Sequence, residues 1–291
     1  MKIKLIISLI GSIPISVRRV IAFFMAKLFY HLSLKHRLIA IHNLMRSFPD
    51  KSLKEIIGIA KESYRSVTSV LVEFYDIPSL NKDNLNQLIT IRGLDNYTNA
   101  YDEGKGVLLF GAHFGNWEIG HAALAILTRP LSFVYRILDN RLLEGIVTTV
   151  RASCGNTSLP KENAMRQMIR LLKKDTTISL LIDQNVAWYG GVFVDFFGRK
   201  ACTTSGLALL AMHTGTPVLP FFTRRLLDGK YLLEIGKKID IICSENRESD
   251  ILINTQNFTK IIEEHIRQYP EQWFWVHQRW KTKLCQVKQR G

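Results

Sequence analysis

The chain has 291 residues, 47% hydrophobic and 22% charged, with 18 Gly and 8 Pro. That balance excludes a disordered tail, a collagen-like or low-complexity chain and a polytopic membrane protein, and the length suits one large or two small domains whose core needs no disulfide staples. Lys and Arg outnumber Asp and Glu by 39 to 25, a net charge of +14, which points to an anionic partner: nucleic acid, a membrane surface or a phosphorylated substrate.

The first acidic residue is Asp50. Before it stand Lys2, Lys4, Arg18, Arg19, Lys27, Lys35, Arg37 and Arg46, interleaved with the apolar runs 5–10 and 20–34. Nucleic-acid patches rarely carry so much apolar surface between their cations, whereas segments lying on an anionic bilayer do. The alternative is a buried amphipathic helix. A spanning helix needs about 20 apolar residues; the second run is shorter, is broken by Lys27 and His31, and is cut off from the first by Pro14. No small-residue cleavage site followed by a polar start marks a signal peptide. The expectation is a monotopic, basic and apolar membrane anchor over residues 1–50, ahead of an α/β domain over 51–291.

That domain opens with a helical region, 51–80. Ser52 and Glu55 form a capping box for a helix over 52–75, with Ile56, Ile57, Ala60, Tyr64, Val67 and Leu71 at helical spacing. Residues 106–110 read as a buried strand, followed by a helix from Asn116. A strand at 131–136 leads to a helix capped by Asn140 and ending at Gly155, then a helix at 163–174 and a β-rich run at 176–182. A helix at 203–214 precedes a strand at 217–223, whose hairpin partner at 231–235 lies across Asp228-Gly229. Strands alternating with helices predict a mixed, mostly parallel sheet flanked by helices. Cys154, Cys202, Cys243 and Cys285 are widely spaced with no CxxC pair, which argues against a zinc ribbon or a disulfide framework and suits a reduced, cytosolic setting.

The chemistry concentrates in Phe110-Gly-Ala-His-Phe-Gly-Asn-Trp-Glu118, where a strand ends and a helix begins. Residues five apart on a continuous helix point about 140° away from each other, so His113 and Glu118 meet only if Gly115 lets the chain fold back. A carboxylate on one imidazole nitrogen would fix the tautomer and leave the other as a general base. With no GxSxG elbow or Cys motif, that base would activate a substrate hydroxyl for attack on an activated acyl group. The competing reading is that both residues merely serve a helix start. There is no GxGxxG, no GxxxxGK[ST] and no HExxH, so nucleotide and metal sites lack their signatures. His36, His42 and His265 read as surface or packing residues.

The segment GAHFGNWE, with His113 and Glu118 as its HxxxxE, resembles the HxxxxD/E motif of glycerolipid-type acyltransferases. Joined to the late block PEQWFWVHQRW at 270–280, it is similar to the bacterial lipid A late acyltransferases, the lauroyl and myristoyl transferases. The likeness runs from the basic apolar N-terminus and Asn43 to Pro49, through Glu73, to Trp280. It implies a glycerolipid-acyltransferase-like fold and transfer of an acyl chain from acyl carrier protein to a hydroxyl of a lipid A precursor, forming an acyloxyacyl ester. It implies the cytoplasmic face of the bacterial inner membrane, with anionic membrane lipids as neighbours, no nucleic acid, and no cofactor beyond the carrier of the donor. His113 and Glu118 become the catalytic dyad. Arg136, Arg151, Asp183 and Gln184 fall in family blocks suited to substrate binding; the plainer roles are surface ion pairs for the arginines and a turn or cap for Asp183. Trp188, Tyr189, Phe193, Phe196 and Phe197 crowd one loop, as lipid contact or as core filling. Two other readings remain: the same chemistry on a glycerophospholipid or glycosylated lipid acceptor, and a lipid-binding protein without turnover, which would need no base at His113.

Overall fold

The computed structural model describes residues 2–162 and 164–284; Cys285 lies outside them. The chain begins with α1 (Lys2–Gly11) and α2 (Ile15–Leu32), between which Pro14 occupies the α2 N-cap. Proline has a fixed φ and no N–H to donate, so it suits a helix start and not its middle. The two axes meet at 96°. Among the described residues no single helix is long and apolar enough to cross a membrane; the α1–α2 pair meets that test only as a bent unit. A break at Ser33 starts α3 (Leu34–Ser47), and α4 (Leu53–Glu73) begins at the expected Ser52–Glu55 capping box.

One face of α2 packs on the protein. Ala22 and Ala26 are buried, and Tyr30 meets Tyr64 of α4 edge-on at 5.5 Å. The other face leaves Val17, Val20, Ile21, Phe24 and Leu28 exposed. One of the cations read above as interleaved with membrane-facing residues turns inward instead, and a second, exposed one reaches a buried carboxylate. Arg18 is 3% exposed; it donates to the Ile13 carbonyl at 2.8 Å and the Val72 carbonyl at 2.7 Å and pairs with Asp76. Arg19 lies 3.5 Å from Glu73. A guanidinium brings five donors, and for Arg18 they are met by the α1–α2 link and by groups at and just beyond the end of α4.

After α4 a 3-10 stretch, Phe74–Ser79, leads into α5 (Lys82–Leu88), β1 (Ile89–Arg92), α6 (Leu94–Tyr101) and β2 (Val107–Gly111). Then come α7 (Trp117–Leu127), β3 (Leu131–Tyr135), α8 (Arg141–Ala152), β4 (Thr157–Pro160), α9 (Ala164–Leu172) and β5 (Thr177–Leu181). An antiparallel hairpin, β6 (Gly191–Phe196) with β7 (Arg199–Thr204), stands apart from the main sheet. The chain continues with α10 (Gly206–Thr214), β8 (Val218–Arg225), β9 (Tyr231–Ile235) and α11 (Arg247–Gln268).

The seven-stranded sheet runs β1-β9-β8-β2-β5-β3-β4, parallel throughout except where β8 and β9 form the expected hairpin. The aromatic stretch 188–197, expected as a loop, is largely strand β6, and the helix expected from 203 starts at Gly206 because Thr203 and Thr204 belong to β7. Period-two alternation along β2 splits the core. Leu108 and Phe110 face the layer of α9, α10 and α11, and Val107 and Leu109 face that of α6, α7 and α8. All five β2 residues are buried, so it is the central strand and its carboxyl end opens onto the ligand edge of an α/β sheet.

Arg18→Ala should cost about 3 kcal/mol, because it strips a largely buried ion pair and two carbonyls of their donor. Thermal unfolding in detergent should shift down by several degrees, while Lys35→Ala, at an exposed position, should leave the midpoint unchanged. Equal midpoints for Arg18→Ala and wild type would show that the inward arginine contributes nothing to the fold.

Candidate active site

The turn after β2 is held by backbone contacts before any side chain is considered. Gly115 has φ +54°, and a Cβ there would sit 1.8 Å from the Thr223 carbonyl oxygen, so only glycine fits. Gly115 N–H donates to the Gln272 carbonyl at 2.9 Å and Asn116 N–H to the Thr223 carbonyl at 3.0 Å. Asn116 caps α7 by accepting from Ile119 N–H at 3.1 Å, and its amide donates to Glu73 at 3.1 Å and Tyr231 at 3.2 Å. Glu73, 2% exposed, also takes Arg225 and the Tyr231 hydroxyl.

His113 projects from this turn. Its Nδ1 lies 2.9 Å from Asp183 Oδ1, its backbone N–H donates to Asp183 Oδ2 at 3.1 Å, and the Trp273 indole donates to the same oxygen at 2.8 Å. The expected His113–Glu118 hydrogen bond is not formed. Glu118, in the first turn of α7, points toward α8, where Arg151 holds it bidentately at 3.1 and 2.6 Å and Trp117 donates at 3.1 Å. Asp183, expected to bind substrate, is buried behind the imidazole and holds it. The reason is geometric: β5 lies next to β2 in the sheet, so the residue two beyond its end comes to the same edge as the turn carrying His113.

Burial works against a charged imidazole at His113, but the Asp183 carboxylate outweighs it and, with a smaller contribution from Glu118, holds the pKa above the ordinary 6.5. Burial likewise raises Asp183, yet His113 and Trp273 bring it down to about 2. At Glu118 burial is outweighed by Arg151, and its carboxyl titrates below the usual range. His121 behaves differently. Burial drives it down to about 4; it stacks on Phe221 at 4.8 Å and sits 2.7 Å from the Ser179 hydroxyl, a neutral packing residue.

His113, Glu118, Arg136, Arg151 and Gln184 line one cavity of about 680 Å³. Arg136 is at its exposed rim, paired with Asp139 at 3.2 Å. Gln184 Nε2 lies 3.5 Å from the imidazole nitrogens. Arg151 is braced over the Phe133 ring at 4.5 Å, and its buried Nη1 has no hydrogen-bond partner. Among the described residues no group of three or more His, Cys, Asp or Glu is placed to hold a metal ion.

The C-terminal block supplies supports that sequence reading left without individual roles. Trp273 orients Asp183, His277 accepts from Asn185 N–H at 2.8 Å, and buried Arg279 donates to the Cys202 carbonyl at 2.8 Å and to the Thr203 hydroxyl. Burial lowers His277, keeping it the neutral acceptor this needs, and lowers Arg279 to about 10. The signal was the density of Trp, His and Arg in one short segment.

Comparison with known proteins identifies the family. The family described as bacterial lipid A biosynthesis acyltransferase matches residues 3–282, and the chain belongs to it. It is 29% identical over 247 residues to a lipid A biosynthesis palmitoleoyltransferase of Escherichia coli, covering 84% of this chain and 78% of that one. It is 25% identical over 216 residues to a phosphatidylinositol mannoside acyltransferase of Mycolicibacterium smegmatis, covering 73% and 69%. A solved structure, the 1-acyl-sn-glycerophosphate acyltransferase of Thermotoga maritima, aligns with 89% of this chain and 99% of its own at TM-score 0.42 and 14% identity. The protein is an acyltransferase.

If the neutral imidazole is the working form, transfer falls as pH drops through the raised His113 pKa. Asp183→Asn removes the charge that raises it. The acidic limb of kcat/KM should therefore move to lower pH, with turnover reduced about a hundredfold or more by loss of orientation. Trp273→Phe should give a smaller loss and leave the limb near its wild-type place. A limb unmoved by Asp183→Asn would separate the carboxylate from the imidazole's titration.

Proposed function

We propose that this lipid A biosynthesis acyltransferase moves an acyl chain from acyl carrier protein to a hydroxyl of a lipid A precursor, at the cytoplasmic face of the bacterial inner membrane, with His113 as general base. The observation that carries the proposal is the imidazole on the cavity wall with Nδ1 committed to Asp183. Nε2 is then the nitrogen left to take the proton of an acceptor hydroxyl. The hydroxyl oxygen attacks the thioester carbonyl, a C–O bond forms, and the tetrahedral oxyanion collapses with cleavage of the C–S bond. The imidazolium returns its proton to the departing thiolate. Asp183 stays ionised throughout and stabilises the imidazolium.

Glu118 and Arg151 act as one unit in this scheme. Glu118 fixes the guanidinium bidentately, and the free Nη1 offers a donor to an oxygen of the acceptor. Glu118 also contributes negative charge near the imidazole without touching it. Arg136 and Gln184 complete the substrate-binding set at the rim and beside the base. The exposed apolar face of α2 would seat the protein on the lipid surface that holds the acceptor. No cofactor is required by these steps.

The mycobacterial relative, by its name, acts on a phosphatidylinositol mannoside, and this favours a second reading: the same chemistry on a glycosylated phospholipid. Purified protein given acyl carrier protein thioester and either acceptor, with products weighed by mass spectrometry, distinguishes the two.

His113→Ala should reduce transfer by about 10²–10⁴-fold, the usual contribution of a general base. Arg151→Ala should weaken acceptor use at least tenfold more than acceptor-free thioester hydrolysis, whereas Arg136→Ala, whose contacts at the exposed rim are screened by water, should change transfer by less than about fivefold. Near-normal transfer by His113→Ala would remove the base from the mechanism. Equal losses in transfer and hydrolysis for Arg151→Ala would assign the arginine to the fold or the thioester.

A further inference from the structure

A second cavity, of about 350 Å³, lies between α3 and the C-terminal segment, lined by Leu38, His42, Arg46, Arg199, Trp280 and Lys281 among others. Strand β7 connects it to the catalytic cavity, with Arg199 at this end and Thr204 at the other. Six strand residues span about 17 Å at roughly 3.3 Å each, so the two cavities are separate. Its charge is one-sided. Arg46, Arg199 and Lys281 have no carboxylate within ion-pair distance among the described residues. Arg199 is fixed in place: it stacks over the Trp280 ring at 3.4 Å and donates to Ser47 at 3.1 Å, while its buried Nε has no partner. Burial and the nearby charge of Arg46 lower Arg199 to about 10. Like charges held together beside an unused donor make an anion site.

What kind of anion follows from α3. Leu34, Leu38, His42 and Arg46 recur every four residues and so share one face of the helix. The first half of that face is apolar, with Leu34 54% and Leu38 55% exposed, and it continues the exposed Leu28 and Leu32 of α2. The second half is basic and enters the cavity. Apolar side chains grading into cations reproduce the order of acyl region and headgroup in a lipid monolayer.

We propose that this cavity binds the phosphodiester headgroup of an anionic membrane glycerophospholipid, with Arg199 and Arg46 taking the phosphate oxygens and Lys281 completing the charge. Guanidinium forks match two phosphate oxygens at once, and an ammonium serves as a third, point-like contact. The site rests on the membrane-surface reading given under the proposed function. It anchors the face of α2 and α3 against the bilayer at a distance from the catalytic cavity, so it orients the enzyme without entering the reaction.

The test uses the full chain floated with vesicles of phosphatidylcholine alone or of phosphatidylcholine containing phosphatidylglycerol. Wild type should prefer the anionic vesicles. Arg46→Ala/Lys281→Ala should bind them about twenty-fivefold more weakly, at about fivefold for each cation near an anionic surface, and should bind neutral vesicles as wild type does. Arg46→Lys, which keeps the charge but not the fork, should recover only part of the preference that Arg46→Ala loses. Transfer from acyl carrier protein to detergent-dispersed acceptor, measured in parallel, should be unchanged in kcat and KM. A double variant that keeps the anionic preference overturns the site, as does a wild type that binds both vesicles equally. An increased KM for acyl carrier protein or for the acceptor, with vesicle binding intact, overturns it in favour of a substrate contact. A wild type that binds neither vesicle defeats the membrane reading itself.

Discussion

The Asp183 carboxylate joins three parts of the chain that lie far apart in sequence. One oxygen faces the His113 imidazole, and the other accepts from the His113 backbone and from the Trp273 indole. A buried carboxylate without donors would protonate or unfold its surroundings; three donors keep it ionised. In return it orients the ring, selects which nitrogen is available, and raises the imidazole's pKa. The strand pairing of β2 with β5 brings the two residues to one edge, and the C-terminal segment closes over them. The orientation of the His113 ring and the packing of the C-terminal segment therefore depend on the same ion.

A second buried carboxylate does comparable work on the other side of the turn. Glu73 receives Asn116, Tyr231 and Arg225 and lies beside Arg19. Asn116 caps α7, so the start of the helix that carries Glu118 is tied to the end of α4 and to α2. The apolar N-terminal helices are consequently not a detachable tail. Their inward face is part of the scaffold under the site, through Arg18, Ala26 and Tyr30, while their outward face remains apolar and exposed. These two faces explain why the N-terminal segment looks like an anchor in composition and like a core helix in half of its contacts.

Between the two carboxylates, Glu118 is distinguished by its partner. A bidentate arginine braced on Phe133 commits the acid to holding a cation in the cavity wall rather than to contacting the base. Electrostatically the acid still favours a protonated imidazole. Its place in the motif thus reads as support for a charge-lined cavity in which one arginine donor is left without a partner.

The alternation of apolar runs with helical periodicity was enough to derive a mostly parallel sheet, the capping box at Ser52, the Asn116 and Asn140 caps and the hairpin across Asp228-Gly229, because each is a local preference of a few consecutive residues. The same local logic placed His113 at a strand–helix turn on the ligand edge, and the family likeness was carried by motifs of the same short range. It could not choose the partner of His113. Glu118 is five residues away and Asp183 is seventy, and the choice was made by the path of the turn, pinned to Thr223 and Gln272, and by the neighbouring of β2 and β5. Nor could it show that Arg18 points inward, since the Val72 carbonyl and the Asp76 carboxylate that receive it lie at and just beyond the end of α4. Local preference decides which elements form; which side chains meet across them depends on contacts between segments remote in sequence, and those exist only once the sheet and its covering helices are assembled.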